Sequence, residues 1–117
     1  MKQTYTGGCQ CRAVRYEVSA DIGEVMSCNC LRCGKLGWQL SCVPAADFGL
    51  ILGDGATSDY QFNKHVIHHL ICSTCGIQSF ARGSGPDGSD MVAINARRLD
   101  GVDPAALRVK AIDGRTR

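Results

Sequence analysis

No apolar run in these 117 residues approaches the roughly 20 needed to cross a bilayer as a helix, so a helical membrane protein is excluded. The opening stretch 1–6, MKQTYT, lacks the apolar core of a secretory signal. Net charge is small, +2 at neutral pH, which is too little to argue for a nucleic-acid partner. Linkers, low-complexity tracts and repeats long enough to define a solenoid are absent, and helix signals are few. What remains is ordinary for a folded domain: 44% hydrophobic and 21% charged residues, in a length that suits one core over 1–117. A chain with many thiols and no export signal is expected in the reducing cytoplasm, where cysteines bind metal more often than they form disulfides.

Short strands broken by glycine dominate the pattern. Segment 13–18 (AVRYEV) alternates in period two, with Val14, Tyr16 and Val18 on one face. Segment 38–43 (WQLSCV) alternates as cleanly, which puts Trp38, Leu40 and Cys42 on one apolar face. Segment 50–52 (LIL) reads as a short buried strand stopped by Gly53-Asp54-Gly55, and 59–63 alternates again. A further strand, 66–71, runs directly into Cys72. Strands at 77–81 and 91–96 flank a loop dense in turn residues, 83–88. Helix is confined to one turn after Pro44 and another after Asp103, with Pro104 at its first position. The expected fold is all-β and mainly antiparallel.

Seven of the eight cysteines fall into three clusters: Cys9-x-Cys11, Cys28-x-Cys30-x-x-Cys33 and Cys72-x-x-Cys75. Thiolates one or two residues apart can converge on one atom, and zinc is the usual one. Four ligands close a tetrahedral zinc, whereas three leave a position free. Cys9, Cys11, Cys72 and Cys75 are assigned to a closed structural site, because a pair near residue 10 and a pair near residue 73 let one metal close a long loop. Cys28, Cys30 and Cys33 then hold a second zinc with an open position, giving two zinc ions per chain. Two alternatives stand beside this: a disulfide framework, and completion of the second site by Cys42. The apolar face shared with Trp38 and Leu40 favours Cys42 as a core residue.

Other polar residues carry weaker signals. Arg32 and Lys35 flank Cys33 and could draw an anionic ligand to the open zinc; the plain reading is a solvated pair. His65, His68 and His69 precede Cys72, and a histidine in a strand is more often a satisfied or half-exposed side chain than a ligand or base. Arg97 and Arg98 are interspersed with Asp100 and Asp103, a mixture that reads as surface.

Gly7-Gly8-Cys9-x-Cys11, then Cys28-x-Cys30-x-x-Cys33, then Cys72-x-x-Cys75-Gly76 resemble, in order and spacing, the glutathione-dependent formaldehyde-activating enzyme family, which includes the centromere protein V group. The resemblance extends through 94–103 (INARRLDGVD) to Asp113-Gly114-Arg115. It implies a small, tent-like zinc β fold with zinc knuckles, structural ligands at Cys9, Cys11, Cys72 and Cys75, and a reactive zinc at Cys28, Cys30 and Cys33. Many relatives carry histidine inside the triplet, where this chain has Asn29.

The activity so implied is that of a zinc-dependent carbon–sulfur lyase or adduct-forming enzyme. It would join a glutathione-like thiol to a small aldehyde such as formaldehyde. Three thiolates already outweigh the charge of Zn²⁺, so such a site suits thiol capture better than generation of hydroxide. The rivals are a non-catalytic thiol carrier and a zinc-stabilised module that binds nucleic acid or protein. The second needs a coherent basic face, which the mixed charges do not favour.

Overall fold

A computed structural model describes residues 3–22, 24–28, 35–61, 67–85 and 88–112. Ten strands are distributed between two sheets. The first sheet holds β1 (Gln3–Gly8), β2 (Arg15–Ala20) and β5 (Phe48–Leu52) in the order β1-β2-β5. The second holds β3 (Glu24–Cys28), β4 (Leu40–Pro44), β6 (Thr57–Tyr60), β7 (His68–Cys72), β8 (Gln78–Ser84), β9 (Asp90–Asn95) and β10 (Arg108–Ile112). Their order is β10-β3-β4-β9-β8-β7-β6, and every pairing is antiparallel except that of β10 with β3. This is the all-β, mainly antiparallel architecture expected from the strand pattern.

The core lies between the sheets. Val14, Tyr16, Val18 and Ala20 supply one side, at 1%, 0%, 0% and 5% exposure, as the period-two alternation requires. Val43, Phe80, Val92 and Ile94 come from the larger sheet. Tyr16, Phe48 and Phe80 meet as an aromatic trio, with ring centroids 5.1 Å apart for Tyr16–Phe48 and 4.9 Å for Phe48–Phe80. Arg82 closes the open side of this trio, its guanidinium 5.2 Å from the Phe48 centroid.

The two short helical turns are 3₁₀ turns at Ala45–Asp47 and Pro104–Ala106. Two expectations need correction. Segment 50–52 is not a buried strand: β5 is an edge strand, and Ile51 and Leu52 are each 55% exposed while Leu50 packs on the core. Cys42 is also not a core residue. Trp38 and Leu40 are buried in a small cluster with Ala81 on the second face of the large sheet, but that cluster ends before Cys42, which is exposed.

Candidate metal centre

Cys9, Cys11, Cys72 and Cys75 converge where the end of β1 meets the turn between β7 and β8. Their four sulfur atoms all lie within 4.8 Å of one another. Cys9 Sγ is 3.6 Å from Cys11 Sγ, and Cys11 Sγ is 3.6 Å from Cys72 Sγ. Ligands at about 2.3 Å in a tetrahedron stand about 3.8 Å apart, so this donor set fits one zinc-sized ion. Such sulfur–sulfur distances are far too long for disulfides, and all five cysteines whose state is described are free thiols.

Local backbone makes both halves. Gly8 is needed where β1 ends, because a Cβ there would meet the Val14 carbonyl oxygen at 2.0 Å. That approach is what lets the Cys9 amide donate to the same carbonyl at 3.1 Å and the Val14 amide reach Cys9 Sγ at 3.3 Å. Arg12, with φ of 69°, turns the chain back after Cys11. On the other side the Gly76 amide donates to the Cys72 carbonyl at 3.0 Å, with Gly76 at φ 79°, a conformation that glycine adopts without strain. The Cys72 amide donates to the Ile77 carbonyl at 3.0 Å, and the Cys75 amide reaches Cys72 Sγ at 3.4 Å.

These amides aim partial positive charge at the sulfurs, as metal-bound thiolates require. Hydrogen bonds from the Cys11 and Ile77 amides bring the Cys75 thiol down to about 6. The Cys75 and Thr74 amides lower Cys72. The Ala13 amide pulls Cys11 in the same direction, but desolvation and the neighbouring sulfurs outweigh it and carry that thiol up to about 11. Without metal, then, some of the four ionise readily and the last resists; a divalent ion would remove that conflict.

A shallow cavity of about 290 Å³ opens beside this cluster, lined by Gly8, Cys9, Arg15, Arg97, Arg98 and Asp100 among others. Arg15 pairs with Asp100, which also accepts from the Thr6 hydroxyl at 3.0 Å. Arg97 and Arg98 sit in the 3₁₀ turn Ala96–Arg98, whose start is capped by Asn95 Oδ1 accepting from the Arg97 amide at 3.1 Å. Arg98 is half-buried and donates from Nε to the Gln78 carbonyl at 3.3 Å. Reading both arginines as plain surface therefore missed their place beside the thiols; only their position directly after β9 hinted at it.

Cys28 ends β3, while Cys30, Cys33 and Arg32 lie outside the described residues, as does His65. Lys35 is exposed. His68 is held by Asp59, Nδ1 to Oδ2 at 2.7 Å, and His69 is buried with its Nδ1 3.0 Å from Gln78 Nε2. Neither histidine is among the residues grouped at the four-thiol cluster.

The sequence profile of a family described as glutathione-dependent formaldehyde-activating enzyme matches residues 4–111. The chain belongs to this family. The crystal structure of a Rhodobacter sphaeroides protein resembles it with a TM-score of 0.78 at 24% identity, covering 90% of this chain and 99% of that one. That likeness carries the fold. In this member of the formaldehyde-activating family, no helix among the described residues is long and apolar enough to cross a membrane.

Proposed function

We propose that the protein is a carbon–sulfur lyase or adduct-forming enzyme, acting in the cytoplasm on a glutathione-like thiol and a small aldehyde such as formaldehyde. The observation that carries this reading is that Cys9, Cys11, Cys72 and Cys75 converge as a self-sufficient set, which supports reading Cys28, Cys30 and Cys33 as a second group with three donors. Family membership supplies the chemistry to look for. In this reading Cys9, Cys11, Cys72 and Cys75 hold a structural zinc, and Cys28, Cys30 and Cys33 hold the second. Zinc at the triplet would supply a Lewis acid with one free position, where a thiol is held as thiolate.

The overall reaction balances without another reagent. The thiol sulfur bonds to the aldehyde carbon, the carbonyl π pair moves to oxygen, and the proton leaving sulfur ends on that oxygen. The reverse breaks the same carbon–sulfur bond. Three cysteines suffice to anchor the metal while leaving room for substrate, and Arg32 and Lys35 beside them offer positive charge to a substrate carboxylate.

Cobalt in place of zinc gives a visible reporter. Adding glutathione should perturb the thiolate charge-transfer and d–d bands saturably, while S-methylglutathione, whose sulfur cannot ionise, should leave them almost unchanged. With formaldehyde present, adduct formation and breakdown should outrun the protein-free rate. Saturable binding at the blank rate would leave a carrier; no spectral response to any thiol would sink both readings.

A further inference from the structure

The register of the large sheet places the arginine-lined cavity at the end of the sheet where β3 stops at Cys28 and β9 stops at Asn95. Met26 on β3 pairs with Leu40 on β4, and Leu40 pairs with Asn95 on β9. The pairing of β4 with β9 extends one step further, since the Ala96 amide donates to the Gln39 carbonyl at 2.7 Å. The ladder stops there, because Ala96–Arg98 form a 3₁₀ turn, so Arg97 leaves the sheet at the same end at which β3 stops at Cys28. On the other flank, β9 pairs with β8, which begins just after the turn bearing Cys75. Arg97 and Arg98 thus stand at one end of the sheet, flanked by the strand that carries Cys28 and the turn that carries Cys75.

The charge in this cavity is not balanced internally. Asp100 is committed to Arg15, and among the described residues no carboxylate pairs with Arg97 or Arg98. Arg98 spends its Nε on a main-chain carbonyl, which leaves its terminal nitrogens for another acceptor. Two adjacent guanidiniums, one half-buried, repel each other: burial and then Arg97 lower the affinity of Arg98 for its proton. A bound anion would relieve that cost.

We propose that this cavity is the carboxylate subsite for the thiol substrate, with Arg97 and Arg98 receiving a carboxylate of a glutathione-like peptide. The proposal rests on the thiol-binding reading above. β3 and β9 are two strand spacings apart, about 10 Å, a separation on the scale of a tripeptide. Guanidinium groups suit the role because their paired N–H donors match a carboxylate in two contacts. The competing role is compensation of a negative four-thiolate centre, since Arg98 lies within electrostatic reach of Cys75 and Arg15 within reach of Cys9.

Calorimetry on the zinc-loaded full chain separates these roles. S-methylglutathione, which keeps both carboxylates but cannot give a thiolate, should bind the wild type. Arg97→Gln and Arg98→Gln should each weaken it by about tenfold to a hundredfold. The diethyl ester of the same ligand should bind weakly and equally to all three proteins. Metal content and thermal midpoint should stay unchanged in Arg97→Gln, whose parent side chain is exposed. Equal affinity of acid and ester for the wild type, or no measurable binding of the acid, overturns the proposal. So does loss of zinc in both variants with affinity per folded chain intact, which is the signature of charge compensation. If glutathione leaves the cobalt spectrum unmoved while S-methylglutathione still binds through Arg97, the subsite stands and the catalytic reading falls.

Discussion

Cys11 and Cys72 are 61 positions apart in the chain, yet their sulfurs lie 3.6 Å from each other at the rim of the core. A metal here ties β1 of the small sheet to β7 of the large one. Apparent binding free energies for structural zinc are about 10–16 kcal/mol, comparable to the stability of a whole domain. Cys72→Ser is therefore expected to destabilise the protein by at least about 3 kcal/mol, or to prevent folding. Circular dichroism melts should show it, and a strong chelator should reproduce it in the wild type. An unchanged melt after complete metal removal would contradict a structural role.

Metal analysis should give two zinc ions per chain, with absorption spectroscopy reporting sulfur ligands almost throughout. Cys30→Ser should reduce the content to one while leaving the melt close to wild type. Loss of both ions in this variant would mean that the two groups of cysteines do not act separately.

The exposure of Cys42 makes it dispensable. Cys42→Ala should retain the full metal content and change stability by no more than about 0.5 kcal/mol, as for surface substitutions. Release of one zinc would instead make Cys42 a fourth ligand of the second site.

Tyr16 is fully buried, and its hydroxyl has no hydrogen-bond partner among the described residues. Burial pushes its phenol well above the ordinary value, opposed by Arg98 and Arg15. Tyr16→Phe keeps the aromatic trio and removes an unpaired polar group, so stability should hold or rise by about 1 kcal/mol. A loss of more than about 1 kcal/mol in denaturant titration would show that the hydroxyl has a partner.

The Arg15 guanidinium holds the Asp100 carboxyl below its ordinary value against the cost of desolvation, with help from the Thr6 hydroxyl. A depressed carboxyl stabilises the fold above its unfolded-state value, near pH ~4, and loses that contribution as pH falls through the folded-state value. The melting difference between wild type and Asp100→Asn should therefore be constant from neutral pH down to about pH 5 and shrink below about pH 4. A gap that does not change with pH would exclude the ion pair as its origin.

Local pattern revealed those parts of the fold in which burial alternates along one strand. Val14, Tyr16 and Val18 are legible because the small sheet turns one face to the core, and the strand entering Cys72 is legible for its apolar run. Strands β1, β3 and β10 passed unnoticed. In β1, Thr4 and Thr6 face outward while glycines end the strand, and in β10 residues 108–111 are all exposed, so neither shows a strong apolar period. The error at Leu52 has the same root: edge or centre is decided by which strands lie beside it in space. Cysteine spacing announced a metal-type cluster, but the position of Arg97 and Arg98 beside it depends on the β8–β9 register, which no local pattern encodes.

The parallel docking of β10 on β3 has a consequence for maturation on the ribosome. Arg108 to Ile112 pair with Glu24 to Cys28, residue for residue, so the strand leading into the triplet gains its outer neighbour only after residues 29–107 have been made. Until then β3 is an open sheet edge. The four clustered cysteines are all made by residue 75, while β1, which leads into Cys9, is also tied to Leu99 and Asp100. The strand that ends at Cys28 is thus completed only after all seven clustered cysteines are already present in the nascent chain.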